Sequence, residues 1–268
     1  MAILSLPAGF IEQHVGKRLW WIKADWAPTL QHAVVQTING PVFFHSELRL
    51  PPPSGGTPNI MTALGGGRGT VHRIALDPRT ALIVRSYRRG GFVRHFIRDL
   101  YWDHPPRPFA ELCCTEEARQ RGVPTVEVLG AQVERVLGPL YRGLLVTREA
   151  TGFHNLWVWL QTGPPADLRR ITLSVAAQAI AAMHQAGVAH ADLNPTNILV
   201  HPDSDPPQAL IIDFDRARLF SGLVPVHIRE ANFRRFQRFF GNYDVLEKWL
   251  SPADFEHFRQ VYRIALSK

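Results

Sequence analysis

No run of about eighteen apolar residues occurs in the 268-residue chain, which leaves no candidate for a membrane-spanning helix. Cysteine is nearly absent: Cys113 and Cys114 are the only two. They are neighbours in a predicted helix, a geometry that argues against a mutual structural disulfide and lacks the spacing of a zinc site. A reduced, cytosolic setting is the expectation that follows. Basic residues are missing ahead of the apolar stretch Met1 to Phe10, which argues against a signal peptide. Internal repeats are missing too.

What is present suits a packed enzyme. Hydrophobic residues make up 46% of the chain, ample for a core, and its length allows one large domain or two lobes. The net charge is +7 and the pI about 9.9, a balance that favours anionic partners: a nucleotide, a nucleic acid or an anionic membrane face. No nucleic-acid recognition motif accompanies it, and none is expected as a partner. The basic residues fall in two clusters. Arg85, Arg88, Arg89, Arg94 and Arg98 form one, and Arg229, Arg234, Arg235, Arg238 and Lys248 form the other, interleaved with Phe233, Phe236, Phe239, Phe240 and Trp249.

Periodicity divides the chain near residue 150. Before it, strand-like runs dominate at Ala33–Ile38, Val42–Leu48, Thr70–Ala75, Ala81–Tyr87, Thr125–Val136 and Leu140–Thr147. After it the patterns are helical: Phe153–Leu160, Ala166–Ala186 closed by Gly187, Arg229–Phe240, Val245–Leu250 and Pro252–Ala265. Pro51–Gly56 and Pro202–Pro207 are loops. The fold class is therefore α+β, with a β-rich N-lobe and an α-helical C-lobe. Residues 1–60 hold an N-terminal extension and the first strands, 61–148 the N-lobe and 149–268 the C-lobe. Trp20, Trp21 and Trp26 fall in a strand-rich segment, where aromatic residues more often serve the core than a membrane interface.

The chemistry is concentrated after the long Ala-rich helix. His190-Ala191-Asp192-Leu193-Asn194-Pro195-Thr196-Asn197 runs into the apolar Ile198-Leu199-Val200, and Leu210-Ile211-Ile212-Asp213-Phe214-Asp215 follows after a short loop. An Asp, an Asn five residues on and a second Asp at the end of an apolar run are what phoshoryl transfer from ATP needs. One group takes the acceptor's proton, and two hard oxygen ligands hold Mg²⁺. Asp192 is the candidate base; Asn197 and Asp213 are the candidate metal ligands. A hairpin of the two apolar runs would carry both ligands to one point, with His190 bracing the loop backbone. Asp and Asn also make ordinary turns before strands, but two such segments in this order make chance a poor account. Asp215 either braces Arg216 or lines the metal site, with the structural role favoured.

A β-rich lobe that covers nucleotide should supply glycines, a cation and a carboxylate. Gly65-Gly66-Gly67-Arg68-Gly69 would let backbone N–H groups approach phosphates, with Gly67, Gly69 and, on the following strand, Val71 lining the nucleotide. The cation is Arg85, in the position where protein kinases carry Lys, and its donor fork can bridge phosphate and carboxylate. Its partner should come from a helix over Pro108–Arg121. Glu111 is preferred because it shares a side with Phe109 and Leu112, whereas Glu116 and Glu117 fit a solvated face with Arg119 to Arg121. Backbone groups of a hinge over Leu145–Ala150, Glu149 among them, would hold the adenine.

Thr70 to Ala75, Val84-Arg85-Ser86-Tyr87-Arg88-Arg89-Gly90-Gly91, the helix ending Arg121-Gly122-Val123-Pro124, the segment from His190 to Asn197 and Ile212-Asp213-Phe214-Asp215-Arg216 together resemble the lipopolysaccharide-core sugar kinases. The resemblance covers roughly residues 65 to 250 and is greatest to the 3-deoxy-D-manno-octulosonic acid (Kdo) kinases. It implies a two-lobed, protein-kinase-like fold in which an Arg replaces the usual Lys. It also implies ATP-dependent phosphorylation of a Kdo hydroxyl on a lipid A precursor, at the cytoplasmic face of a bacterial inner membrane or in the cytoplasm. An arginine-rich acceptor side suits a substrate carrying carboxylates and phosphates, and the helix Arg229–Phe240 suits either an anionic membrane surface or, with its aromatic face, core packing. Two other readings stay open: a heptose or other small-substrate kinase of the same fold, and a nucleotide-binding pseudokinase. Intact Asp192, Asn197 and Asp213 weigh against the last.

Overall fold

The structure, a computed structural model, describes residues 4–30, 69–87, 100–101, 105–244 and 247–267. The runs expected at Ala33–Ile38 and Val42–Leu48, the loop Pro51–Gly56, the glycines up to Gly67, and Arg88, Arg89, Arg94 and Arg98 lie outside them. Two compact units emerge, one of Met1–Cys113 with Glu127–Glu149, the other of Cys114–Val126 with Ala150–Lys268.

Six antiparallel strands form the sheet of the first unit: β1 (Phe10–Val15), β2 (Arg18–Lys23), β3 (Gly69–Asp77), β4 (Thr80–Tyr87), β5 (Val128–Leu137) and β6 (Leu140–Arg148), in the order β1-β2-β5-β6-β4-β3. Register decides what each face presents, because side chains alternate along a strand. Trp20, Gln132, Leu144 and Ser86 form one cross-strand row. That face carries a core of Trp20, Ile22, Leu82, Val84, Leu129, Leu144 and Val146, capped by Ala27 and Leu30 of the short helix α1 (Ala27–Leu30). The next row, Trp21, Ala131, Leu145, Arg85 and Val71, lies on the opposite face.

Helix α2 (Arg107–Gln120) packs on that second face. Phe109 stacks on Trp21 with ring centroids 4.3 Å apart, and Leu112 is fully buried. Gly143 of β6 makes room for the start of α2, since a Cβ there would collide with the Pro108 ring.

The second unit is mostly helical: α3 (Leu156–Leu160), α4 (Ala166–Gln185), α5 (Val226–Tyr243) and α6 (Pro252–Leu266), with the short strands β7 (His154–Asn155), β8 (Val188–Ala189), β9 (Ile198–His201), β10 (Gln208–Ile211) and β11 (Arg218–Leu219). Ala176, Ala177, Ile180, Met183, Phe233, Phe236, Phe258 and Tyr262 share its core. Two helices differ from expectation. The one anticipated over 153–160 begins only at Leu156, because His154 and Asn155 pair with β9 and the Asn155 side chain accepts the N–H groups of Trp157 and Val158. No helix runs over 247–250: the buried Asp244 carboxylate accepts the N–H groups of Lys248, Trp249 and Leu250 at 2.8–2.9 Å, satisfying them in a turn instead. Ser251 and Asp254 form a capping box that starts α6.

Candidate active site

The loop after α4 is positioned by a tight helix exit. Gly187 adopts φ +74°, and a Cβ there would run into the carbonyl oxygens of Phe220 and Gly222, so the left-handed stop is open to glycine alone. β8 follows and pairs with β11, which delivers His190 into the core.

His190 ties two loops together. Its Nδ1 accepts the Asp192 N–H at 3.0 Å, which commits Nε2–H to donate to the Ile212 carbonyl, also at 3.0 Å. The ring is therefore held neutral, in keeping with burial that pushes its pKa down. Phe214, fully buried, packs beside it at 5.5 Å between centroids.

Asparagines fix the remainder of the loop. Asn194 Nδ2 and Asn197 Nδ2 both donate to the Asp192 carbonyl, at 3.0 and 2.9 Å. The Asn194 Oδ1 accepts from Thr196 N–H at 2.8 Å and from its hydroxyl at 2.5 Å, and Asn155 Nδ2 donates to the Thr196 carbonyl at 2.7 Å. All these bonds go to backbone or to neutral groups. The Asp192 carboxylate itself stays 73% exposed, and its ion-pair partner among the described residues is Arg235 Nε at 3.7 Å.

The β9–β10 hairpin pairs the backbone at Asn197 with that of Ile212, the residue before Asp213. Ile198 pairs with Ile211, and Ile212 N–H donates to the Asn197 carbonyl at 3.0 Å. Because the Asn197 amide nitrogen is committed to Asp192, its Oδ1 is the atom left for a cation. Asp213 sits at φ +68°, a conformation that typically costs a non-glycine residue about 1–3 kcal/mol and turns the chain sharply out of β10. A carboxylate and an amide oxygen are hard donors that fit Mg²⁺, an ion that completes its shell with water and phosphate. Among the described residues no group of three His, Cys, Asp or Glu side chains forms a self-sufficient metal site.

In the first unit Arg85 and Glu111 form an ion pair, and Tyr87 donates its hydroxyl to the other Glu111 oxygen. Glu111 is 2% exposed and Arg85 27%, so the carboxylate is sealed while the guanidinium reaches solvent. Val71 lies directly across from Arg85, and Gly69 across from Tyr87. Glu149 is spent on the sheet: its N–H donates to the Ala81 carbonyl at 2.8 Å and its carboxylate takes both arms of Arg73 at 2.6 and 2.9 Å. Glu116, read from sequence as solvent-facing, is buried and accepts from Arg119 and Gln120.

Three contacts around these residues were not assigned from the sequence. Tyr87 grips Glu111, Asn232 of α5 donates to the His190 carbonyl at 2.8 Å, and Arg235 stands beside Asp192. The three-residue spacing of Asn232 and Arg235 was the available signal, since it places both on one helix face.

Comparison with known proteins agrees with this chemistry. The sequence profile described as "Lipopolysaccharide kinase (Kdo/WaaP) family" matches residues 65–262. The chain is 31% identical over 179 residues to the 3-deoxy-D-manno-octulosonic acid kinase of Vibrio cholerae, covering 65% of this chain and 71% of that one. It is 30% identical over 210 residues to the enzyme of the same name from Xylella fastidiosa, covering 76% and 79%. Among solved structures, WaaP in complex with acyl carrier protein matches with a TM-score of 0.50 at 20% identity, covering 74% of this chain and 75% of that one, which supports the kinase-like fold. The chain belongs to the lipopolysaccharide kinase (Kdo/WaaP) family and is an ATP-using phosphotransferase.

Proposed function

We propose that this kinase phosphorylates a hydroxyl of Kdo, the sugar acid in its relatives' names, and that the Kdo is carried on a lipid A precursor at the cytoplasmic face of the inner membrane. The observation that carries the catalytic part is the loop from His190 to Asn197, whose side chains hold the backbone and leave the Asp192 carboxylate at the surface. Asp192 takes the proton of the acceptor hydroxyl as its oxygen bonds to the γ-phosphorus, the bond to the β–γ bridging oxygen breaks and ADP leaves. Arg85, aimed by Glu111, holds ATP phosphates, with Gly67, Gly69 and Val71 beside the nucleotide and the backbone around Glu149 at the adenine. Asn197 and Asp213 would hold Mg²⁺, which neutralises charge on the phosphate oxygens. The exposed Arg234 and Arg238 of α5 suit an anionic membrane surface, while Phe233, Phe236 and Phe240 of the same helix are buried.

Transfer of labelled γ-phosphate from ATP to Kdo-bearing lipid A precursor, with a heptose-containing core alongside, tests the reading. Label on the Kdo lipid is expected. Label on the heptose core alone would replace Kdo by heptose as acceptor, and ATP binding without any transfer would favour a pseudokinase.

A further inference from the structure

Helix α5 meets the catalytic loop twice. Asn232, buried, donates to the His190 carbonyl at 2.8 Å and turns its Oδ1 to His184 Nε2 at 3.0 Å, which fixes the helix in height and rotation. One turn later Arg235 brings its guanidinium to Asp192, with Nε 3.7 Å from Oδ1 and the side chain 45% exposed. That contact is too long for a hydrogen bond. Among the described residues no hydrogen bond engages the outer nitrogens of this guanidinium, so its bidentate edge is available to a ligand.

The guanidinium places an anion-binding edge beside the carboxylate proposed as the base. An acceptor that carries both an anion and a hydroxyl fits this pair. Its anion takes the guanidinium's fork, and its hydroxyl, on the same ring, meets Asp192. Arg suits this task better than Lys because its planar fork matches a carboxylate and fixes orientation as well as charge. We propose that Arg235 binds the acceptor's carboxylate and so selects acidic over neutral sugars, a proposal that rests on the sugar-kinase reading above. Arg235 is then a specificity residue one sugar ring or less from the attacked oxygen.

The test compares kcat/KM for Kdo-bearing lipid A precursor with that for the same lipid in which the Kdo carboxylate is converted to the carboxamide, in wild type, Arg235→Lys and Arg235→Gln. Wild type should prefer the acid by about 10- to 100-fold, the range expected of a charge-assisted pair. Arg235→Gln should bring that ratio within about twofold of one, and Arg235→Lys should fall between. Arg235 is half exposed, so the variants should fold, which circular dichroism checks. An equal loss on acid and amide in Arg235→Gln would assign the residue to Asp192 and overturn the proposal. A matching rise in the KM for ATP would assign it to the nucleotide and overturn it as well. A wild-type enzyme that takes neither lipid would bring down the functional reading itself, and that outcome is distinct because it appears before any variant is made.

Discussion

The two units hold their working carboxylates in opposite ways. Glu111 in the first is sealed from water and satisfied by a guanidinium and a phenol from a strand some 25 residues away. Asp192 in the second stands in solvent on a loop whose backbone is tied by neutral side chains two to five residues distant. The difference matches the role proposed for each. A carboxylate that aims a cation must stay ionised and still, which a buried, opposite charge secures. A carboxylate that receives a proton must be reachable and reactive, so its geometry is enforced through the backbone and, among the described residues, its own oxygens accept no hydrogen bond and meet only the distant Arg235 guanidinium.

Removing the reactive oxygen breaks the comparison at its strongest point. Asp192→Asn keeps the loop bonds, all of which use the Asp192 backbone, and should lower kcat by about 10³-fold. ATP affinity, measured by calorimetric titration, should change little. Near-normal turnover would remove Asp192 from the role of base.

Stability separates the units next. Arg85→Met takes the guanidinium from the buried Glu111 carboxylate and should cost the protein about 3–5 kcal/mol, the range for removing one partner of a buried pair. Glu111→Gln leaves Arg85, which reaches solvent, and should cost distinctly less. Chemical denaturation of both variants reads the order; the reverse order would mean that Glu111 is not the sealed member of the pair.

This contrast also explains what could be read from the sequence. The loop from His190 to Asn197 and the hairpin that leads to Asp213 were legible as structure because their geometry is local: a five-residue spacing, then a hairpin whose apolar runs announce themselves. The α+β division was legible for the same reason. Glu111 needed only the helical period that puts it beside Phe109 and Leu112. The same logic failed for Glu116, because the later half of α2 belongs with the second unit's core, where Ala118 is buried. Strands were expected within residues 1–60, but the bounds of β2 were not drawn, because Trp20-Trp21-Ile22 is apolar on consecutive positions, buried on both sheet faces, and shows no alternation. Asn232 and Arg235 lie some forty residues beyond the loop they serve; periodicity identifies the buried face of α5 but not which of its residues meets the loop.

Neutral braces in the second unit make its stability depend on pH. His184 donates Nε2–H to Asn232 and accepts from Tyr262, and burial pushes its pKa down to about 4 from 6.5. Between those values the unfolded chain binds the proton and the folded chain does not. The stabilisation is therefore complete above pH 6.5 and declines as pH falls toward 4, by about 3 kcal/mol in total. Burial moves His190 in the same direction. Urea unfolding from pH 7 to pH 4.5 should show the decline, and His184→Gln, which can still donate to Asn232, should flatten it. An unchanged pH slope in that variant would assign the dependence to other groups.

The smallest effect probes how redundantly the loop is tied. Asn194 acts at both ends of its amide, donating to the Asp192 carbonyl and accepting from Thr196. Asn194→Asp keeps the acceptor and loses the donor, yet the Asp192 carbonyl retains Asn197 at 2.9 Å, so the cost in stability should stay below about 1 kcal/mol. Asn194→Ala loses both and leaves the Thr196 N–H without its cap, at about 1–2 kcal/mol. If the loop is held by backbone bonds that back one another up, the two variants separate in unfolding free energy while kcat in Asn194→Asp stays within a fewfold of wild type. A collapse of kcat in Asn194→Asp would show instead that a second carboxylate beside Asp192 cannot be tolerated, and that the neutrality of the braces matters as much as their geometry.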